Sequence, residues 1–392
     1  MTTAESAPEN ATVTPAPAEP TTWRRILPSL TGLRAIGAGI VFAFHSIVEI
    51  NLFAGVPGLL LAVVLSIVGT VCLTGFFILS GFVITWAARP GASPVTFWRN
   101  RLVRLYPVHF VTTIGAIALV LGFGGTVTAP EIINNLLLVQ TWKFGDPTMA
   151  TSLNAVSWFL AVEAFCYLCF PGLLWLLNRL RPERLWTALG VVTALSFIIP
   201  IAVDLLLPNT PYVGNGPKAS ALQIWIVYFF PPVRLLEFIA GMLLARIVLT
   251  GRWPAWRMRT GVLLFIGGCV LTLVIPSDPL RAGAPTAILA APIIAILATR
   301  DARNQVSGLG GRVWLWFGEL SMVIYLVHRL VIQYGYRAIG SPHLNPLVAI
   351  VFWLALAAVT LGLSWLLYRF VETPIARRFH TRRRAAEPAA PS

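Results

Sequence analysis

Ten apolar stretches, separated by short polar links, leave this 392-residue chain little choice but a bundle of membrane helices. They fall near 30–52, 66–87, 106–124, 154–177, 185–204, 222–245, 260–275, 284–299, 313–335 and 345–368. Hydrocarbon offers the backbone no hydrogen-bond partners, so runs of this length become helices that bond within themselves. Only 11% of residues are charged, against about 25% in soluble domains, and the mean hydropathy is +0.78. The expected fold is all-α, polytopic, with about ten transmembrane helices. Residues 55–65 are apolar too, and either lengthen the second span or form a re-entrant piece.

The cations orient the bundle. With the N-terminus in the cytoplasm, 23 of the 29 Lys and Arg fall on that side. The opposite side keeps Lys143, Lys218, Arg281 and Arg337, while Arg234 and Arg329 lie within spans. This is the positive-inside pattern, and it predicts that both termini are cytoplasmic. A net charge of +14 would suggest nucleic acid in a soluble protein. Here the cations flank membrane spans, and no nucleic-acid partner is expected.

Residues 1–22 are rich in Ala, Thr, Pro and Glu and read as a disordered cytoplasmic tail rather than a signal peptide. The membrane domain is expected over 23–380, followed by a basic disordered tail, 381–392. Cys72, Cys166, Cys169 and Cys269 sit in apolar spans without the second Cys pair or His of a zinc site. They read as small buried hydrophobes, with no disulfide and no metal.

Ionisable residues inside the spans carry the chemical information, because they are costly there and normally line a protein interior or a wet cavity. Arg34 and His45 stand eleven residues apart in the first span, three turns plus about 20°, on one helix face. The His lies about 16 Å beyond the Arg, near mid-membrane, where an imidazole can move protons at neutral pH. Glu49, one turn further, is placed to accept the ring proton and fix the tautomer. The plainer alternative has His45 bonded to a carbonyl and Glu49 solvated at the outer surface.

After the second span, Arg99, Arg101 and Arg104 form a basic loop beside Trp98. Guanidinium groups bind phosphate in pairs and an aromatic neighbour can stack on a base, features that suit coenzyme A. An ordinary loop holding lipid headgroups fits the same composition. Glu163, in SWFLAVEAFCYL with Trp158, either binds acceptor hydroxyls or holds a neighbouring helix. Arg234 and Glu237 are spaced to pair with each other. Ser321, Tyr325 and His328 make a polar stripe on the ninth span, facing a cavity or bonding across helices. There is no glycine-rich phosphate loop, no G-x-S-x-G elbow and no H-E-x-x-H. The Ser80–Gly81 step in LSGF reads as helix packing.

In chain order, LTGLRAIGAG with His45, GFFILSGFVIT, RNRLVRLYP, SWFLAVEAFCYL, RLLEFIAGM, GELSMVIYLVH and YRFVETPIARR together resemble the acyltransferase-3 family, membrane enzymes that acylate bacterial glycans and some macrolides. The resemblance runs from about Ile26 to Phe379. It implies that Arg34 and His45 are essential, that His45 is catalytic, and that Arg101 and Arg104 lie on the acyl-CoA side. Glu163 matches an acid of the family, with Ala164 where a second acid often follows. Thr74 stands where many members carry Asp, which weakens the case for an envelope polysaccharide as acceptor. Many glycan-acylating relatives continue into a soluble SGNH hydrolase-like domain. This chain ends in a basic tail, so the bundle is expected to complete the transfer itself or to relay the acyl group to a partner protein.

The resulting expectation is an O-acyltransferase of the bacterial cytoplasmic membrane. It would move an acyl group, by default acetyl, from acyl-CoA to a hydroxyl of a glycan, glycolipid or glycosylated natural product. His45 would act as base with Arg34 and Glu49, while Arg99, Arg101 and Arg104 hold the donor. Trp158, Glu163, Tyr325 and His328 would bind the acceptor. An acyl-His intermediate is a second chemical route. A membrane transporter or flippase is the rival class, although no inverted repeat supports it.

Overall fold

The structure is a computed structural model describing residues 26–386 except 54, 90, 213–217, 284 and 342–343. The helices, in chain order, are α1 (Pro28–Ala43), α2 (Gly55–Ala87), α3 (Pro94–Gly122), α4 (Ala129–Leu136), α5 (Pro147–Ala150), α6 (Ser157–Arg179), α7 (Leu185–Leu206) and α8 (Ala221–Ile224). They continue with α9 (Pro231–Leu249), α10 (Met258–Val274), α11 (Asp278–Gly283), α12 (Ala291–Ala302), α13 (Arg312–Ala338), α14 (Pro346–Leu367) and α15 (Thr373–Ala386). No strand occurs among the described residues beyond one isolated bridge, Tyr212 to Ser220. The tail 1–22 and residues 387–392 of the tail 381–392 lie outside the described residues, and α15 runs to Ala386.

Every expected span has a helical counterpart, but eight helices among the described residues are long and apolar enough to cross a membrane, not ten. The sixth stretch is broken. Its first part is α8 and a π turn, Trp225–Phe229, and α9 starts afresh at Pro231. Pro231 excludes the helical conformation for Phe230, whose ψ is 116°, so the chain must bend there. The seventh, α10, has 17 residues, about 26 Å of helix against a ~30 Å core. Residues 55–65 simply lengthen α2.

Lipid tails are as apolar as leucine, so helices associate here through close packing and polar contacts. Gly81 of α2 and Gly241 of α9 show the first. A Cβ at Gly81 would strike the Phe238 carbonyl, and one at Gly241 the Ile78 carbonyl. The two backbones touch, and only glycine permits it. Asp301, at the end of α12, shows the second: it accepts hydrogen bonds from the Ser29 N–H (2.8 Å) and hydroxyl (2.6 Å). A carboxylate thus meets the exposed N–H groups and positive dipole end of α1.

The segment 125–153 folds back onto the bundle. Asn135 donates to the Ser152 hydroxyl (2.8 Å) and accepts from Ser157 (3.0 Å), and Asn154 donates to the Leu326 carbonyl (2.8 Å). These bonds tie the connection to α6 and α13, the two helices that carry Glu163 and His328.

Candidate functional site

α1 ends in a π turn, Phe44–Glu49, which holds both His45 and Glu49. A π turn widens the helix and re-aims its side chains, and such turns are frequent at functional sites. His45 Nδ1 lies 2.8 Å from Glu49 Oε1, at ion-pair distance without hydrogen-bond alignment. The second oxygen of Glu49 takes Arg329 Nη2 at 2.8 Å. One carboxylate therefore bridges an imidazole and a guanidinium. The ring of His328, 1% exposed, stands 5.0 Å from that of His45. Its Nδ1 lies 3.1 Å from the Ile324 carbonyl, so that nitrogen donates and Nε2 keeps its lone pair, with no hydrogen-bond partner among the described residues.

Beside this cluster is a cavity of about 100 Å³ lined by side chains of α1, α2, α3, α6 and α13. Arg34, Arg101 and Arg104 supply positive charge, and Glu163, Glu319 and Ser321 face them. Glu163 is fixed from two sides, accepting from the Ser80 hydroxyl at 2.8 Å and from the Tyr167 hydroxyl. The Arg101 guanidinium rides over the rings of Phe97 and Tyr167, 5.5 and 5.7 Å away. Arg104 Nε is 3.8 Å from Glu372. Tyr325 lines the cavity on one side and approaches His328 on the other, with ring centroids 5.7 Å apart.

Glu49 and Arg329 also border a second cavity, of about 600 Å³, together with Gly124, Thr151, Gln333, Tyr334 and Arg337. The two cavities lie toward opposite ends of the same helices. α3 gives Arg101 and Arg104 to one and its C-terminal end to the other; α13 gives Ser321 to one and Arg337 to the other. Glu49 stands fifteen positions after Arg34 along α1 and the π turn that follows it, roughly 22 Å at about 1.5 Å per residue.

Arg34, Arg101, Arg104, Glu163 and Tyr325 thus share one cavity, and His45, Glu49 and His328 form the adjoining cluster. Arg99 is exposed and apart from both. Trp158 is buried among Phe77, Tyr228 and Phe229 and does not line either cavity. Four residues at these cavities were not among the expected site residues: Ser80, Tyr167, Glu319 and Arg329. Ser80 is more than helix packing, since its hydroxyl holds Glu163. Tyr167 stands four residues after Glu163, on the same face of one helix, and Arg329 is an ionisable group within a span; both signals were present. Among the described residues there is no group of three or more His, Cys, Asp or Glu that could hold a metal ion.

The fold defines a multi-pass membrane protein with a buried, charged centre. The chain belongs to the acyltransferase-3 family, whose acyltransferase-domain model matches residues 27–369. It is 34% identical over 372 residues to acyltransferase MdmB of Streptomyces mycarofaciens, covering 92% of this chain and 94% of that protein. The exopolysaccharide production protein ExoZ of Rhizobium meliloti is 27% identical, with 79% of this chain and 90% of ExoZ aligned. The peptidoglycan O-acetyltransferase OatA of Listeria monocytogenes is 25% identical over 90% of this chain, which spans 56% of OatA. No solved structure matches the chain. The family and its members make this protein a membrane acyltransferase.

Proposed function

We propose that this protein transfers an acyl group from acyl-CoA to a hydroxyl, with His45 as general base. The observation that carries the reading is the His45–Glu49 pair, held at 2.8 Å between an arginine-lined cavity and a second cavity bordered by Glu49 itself. Glu49 holds the Nδ1 edge of the ring, which leaves Nε2 for the reacting hydroxyl. As the acceptor oxygen attacks the thioester carbonyl, the imidazole takes its proton. The carbon–sulfur bond then breaks, and the proton passes to the departing thiolate.

Arg101 and Arg104 meet the coenzyme A phosphates at the cavity mouth, and Arg34 carries positive charge further along α1. Glu163, fixed by Ser80 and Tyr167, faces these arginines across the cavity and orients them. Acetyl is the acyl group that suits a cavity of about 100 Å³. The acceptor is a sugar hydroxyl of a glycan, glycolipid or glycosylated natural product. In the bacterial cytoplasmic membrane the chain makes ten crossings, with α9 and α10 as the short ones. Both termini, and the Arg101 end of α3, face the cytoplasm.

Purified His45→Ala protein, shown to be monodisperse, tests the assignment by thiol release from acetyl-CoA and by mass spectrometry of the acylated product. The expected loss is about 10²- to 10⁴-fold. An undiminished rate removes His45 from the chemistry.

A further inference from the structure

An apolar groove of about 770 Å³ runs between α3, α13 and α14. Its wall on α14 extends from Phe352 to Leu367, about 22 Å of helix and most of a ~30 Å hydrocarbon core. Val111, Leu119, Val327, Val331 and Leu363 furnish sides that offer a ligand no charge. At its outer end the groove does not close. Phe123 and Tyr334 line both the groove and the polar cavity that holds Glu49 and Arg329, so the two spaces adjoin.

The polar half is built for a different chemistry. Gln333, Arg329 and Arg337 border it, and the Arg337 guanidinium lies 5.4 Å from the centre of the Tyr334 ring. Arg329 Nε is buried without a hydrogen-bond partner among the described residues, although the same guanidinium grips Glu49. A donor left so costs free energy unless a ligand or water fills its place. Each space falls within the roughly 300–1,000 Å³ of ordinary ligand sites. A long apolar slot that opens onto a polar chamber calls for one occupant with both characters.

We infer that the acceptor is amphipathic: a hydroxyl-rich headgroup in the Glu49–Arg329 cavity, carried on a hydrocarbon chain lying in the α3–α13–α14 groove. This inference rests on the acyltransfer reading and adds the class of acceptor. The headgroup arrives at the carboxylate that holds His45, and the chain stays in the membrane. A lipid-linked sugar or a glycolipid has this form, whereas a free sugar leaves the groove to bulk lipid.

The groove can be filled without disturbing the helices. A Cβ at Gly115 meets nothing within 4 Å, so Gly115→Phe extends into the slot, and Ala355→Phe does so from α14. The probe is a dodecyl β-glucoside with a diazirine in its chain, photolysed with the protein in phosphatidylethanolamine–phosphatidylglycerol nanodiscs. Labelled peptides are mapped by mass spectrometry. Labelling should concentrate on 111–123 and 352–367, saturate, and yield to unlabelled dodecyl glucoside but not to methyl glucoside. In either Phe variant saturable labelling should weaken about tenfold, the loss expected when two buried methylenes are displaced. Gln333→Leu with Arg337→Leu should abolish the preference over a diazirine phosphatidylcholine.

Labelling that never saturates, or that is equal for the phosphatidylcholine probe, overturns the inference and makes the groove an annular lipid site. Thioester cleavage is followed in the same nanodiscs to separate the two readings. Acetyl transfer with unsaturable labelling defeats the groove alone. Saturable labelling without any acetyl-CoA cleavage defeats the acyltransfer reading and leaves the groove standing.

Discussion

Two of the arginine–glutamate pairs inside this bundle, Arg234–Glu237 and Arg329–Glu49, have different surroundings. Arg234 and Glu237 pair at 3.2 Å within α9, and Arg234 is 1% exposed. Its other N–H groups donate to the carbonyls of Tyr228 (2.9 Å), Gly283 (3.1 Å) and Ala282 (3.4 Å). That guanidinium fastens the broken end of α9 to the π turn and α11, closing a place where Pro231 interrupts the backbone ladder. Glu49 and Arg329 pair more closely, at 2.8 Å, yet they border an open cavity and share the carboxylate with His45. The first pair is packed against the main chain and borders neither polar cavity, although Glu237 Oε2 is buried without a hydrogen-bond partner among the described residues. The second keeps a face toward space that a ligand can fill. Charge within a membrane bundle points to a functional site when it borders space that a ligand can reach, as Glu49 and Arg329 do and Arg234 and Glu237 do not.

Substitution should break the two pairs in different currencies. Arg234→Ala leaves Glu237 and three carbonyls without their partner, and should cost about 3–5 kcal/mol of stability. Unfolding in detergent, followed by thermal denaturation, measures it. Replacing both partners, as Arg234→Met with Glu237→Leu, should recover only part, because the carbonyls stay unpaired. Full recovery would reduce Arg234 to a counter-ion. Glu49→Gln should instead leave the melting temperature nearly unchanged and lower acetyl transfer about 10- to 100-fold, less than removal of the imidazole. A fall in stability as large as that of Arg234→Ala would show the outer pair to be structural too.

The smallest effect belongs to a carboxylate outside the membrane. Burial alone would raise the Asp146 carboxyl, but the Thr148 hydroxyl, the Met149 N–H and the Lys143 ammonium outweigh it and hold it down to about 2. Because the folded value lies below the ordinary one near 3.9, the charged form stabilises the fold. Its contribution is complete above about pH 4 and fades as the pH falls toward 2. The protection factors of the Thr148 and Met149 amides, exchange rates corrected for the intrinsic pH dependence, should fall over that interval, and Asp146→Ala should cost about 1 kcal/mol locally, as for other helix N-caps. Protection factors that stay constant there would mean that α5 does not depend on its cap.

Local signals were legible wherever the deciding contact is local. His45 and Glu49 sit one turn apart, and their side chains do meet. The break before α9 was written in the Phe230–Pro231–Pro232 run, which hydropathy passed over because it weighs polarity and not backbone conformation. The π turn at Phe44–Glu49 carried no such mark: it contains no Pro or Gly, and it lies packed against α2 and α13. Trp158 was expected at an acceptor site, but an indole on that face of α6 meets aromatic rings from α2 and the π turn before α9. Side-chain type could not distinguish the two surroundings.

The amino-acid order by itself settled that the chain is helical and membrane-embedded, since hydropathy and backbone self-satisfaction act within single stretches of chain. Which polar groups meet was settled by the tertiary structure. Ser80 reaches Glu163 across 83 residues, and Arg329 comes from α13 to grip Glu49 in the π turn after α1. A hydrophobic pattern can mark an apolar face without saying which helix or lipid covers it, so no periodicity names the neighbour. Close glycine contacts such as Gly81 against Phe238, together with helix breaks, help to choose it, and with it the cavity that Glu49 and Arg329 border.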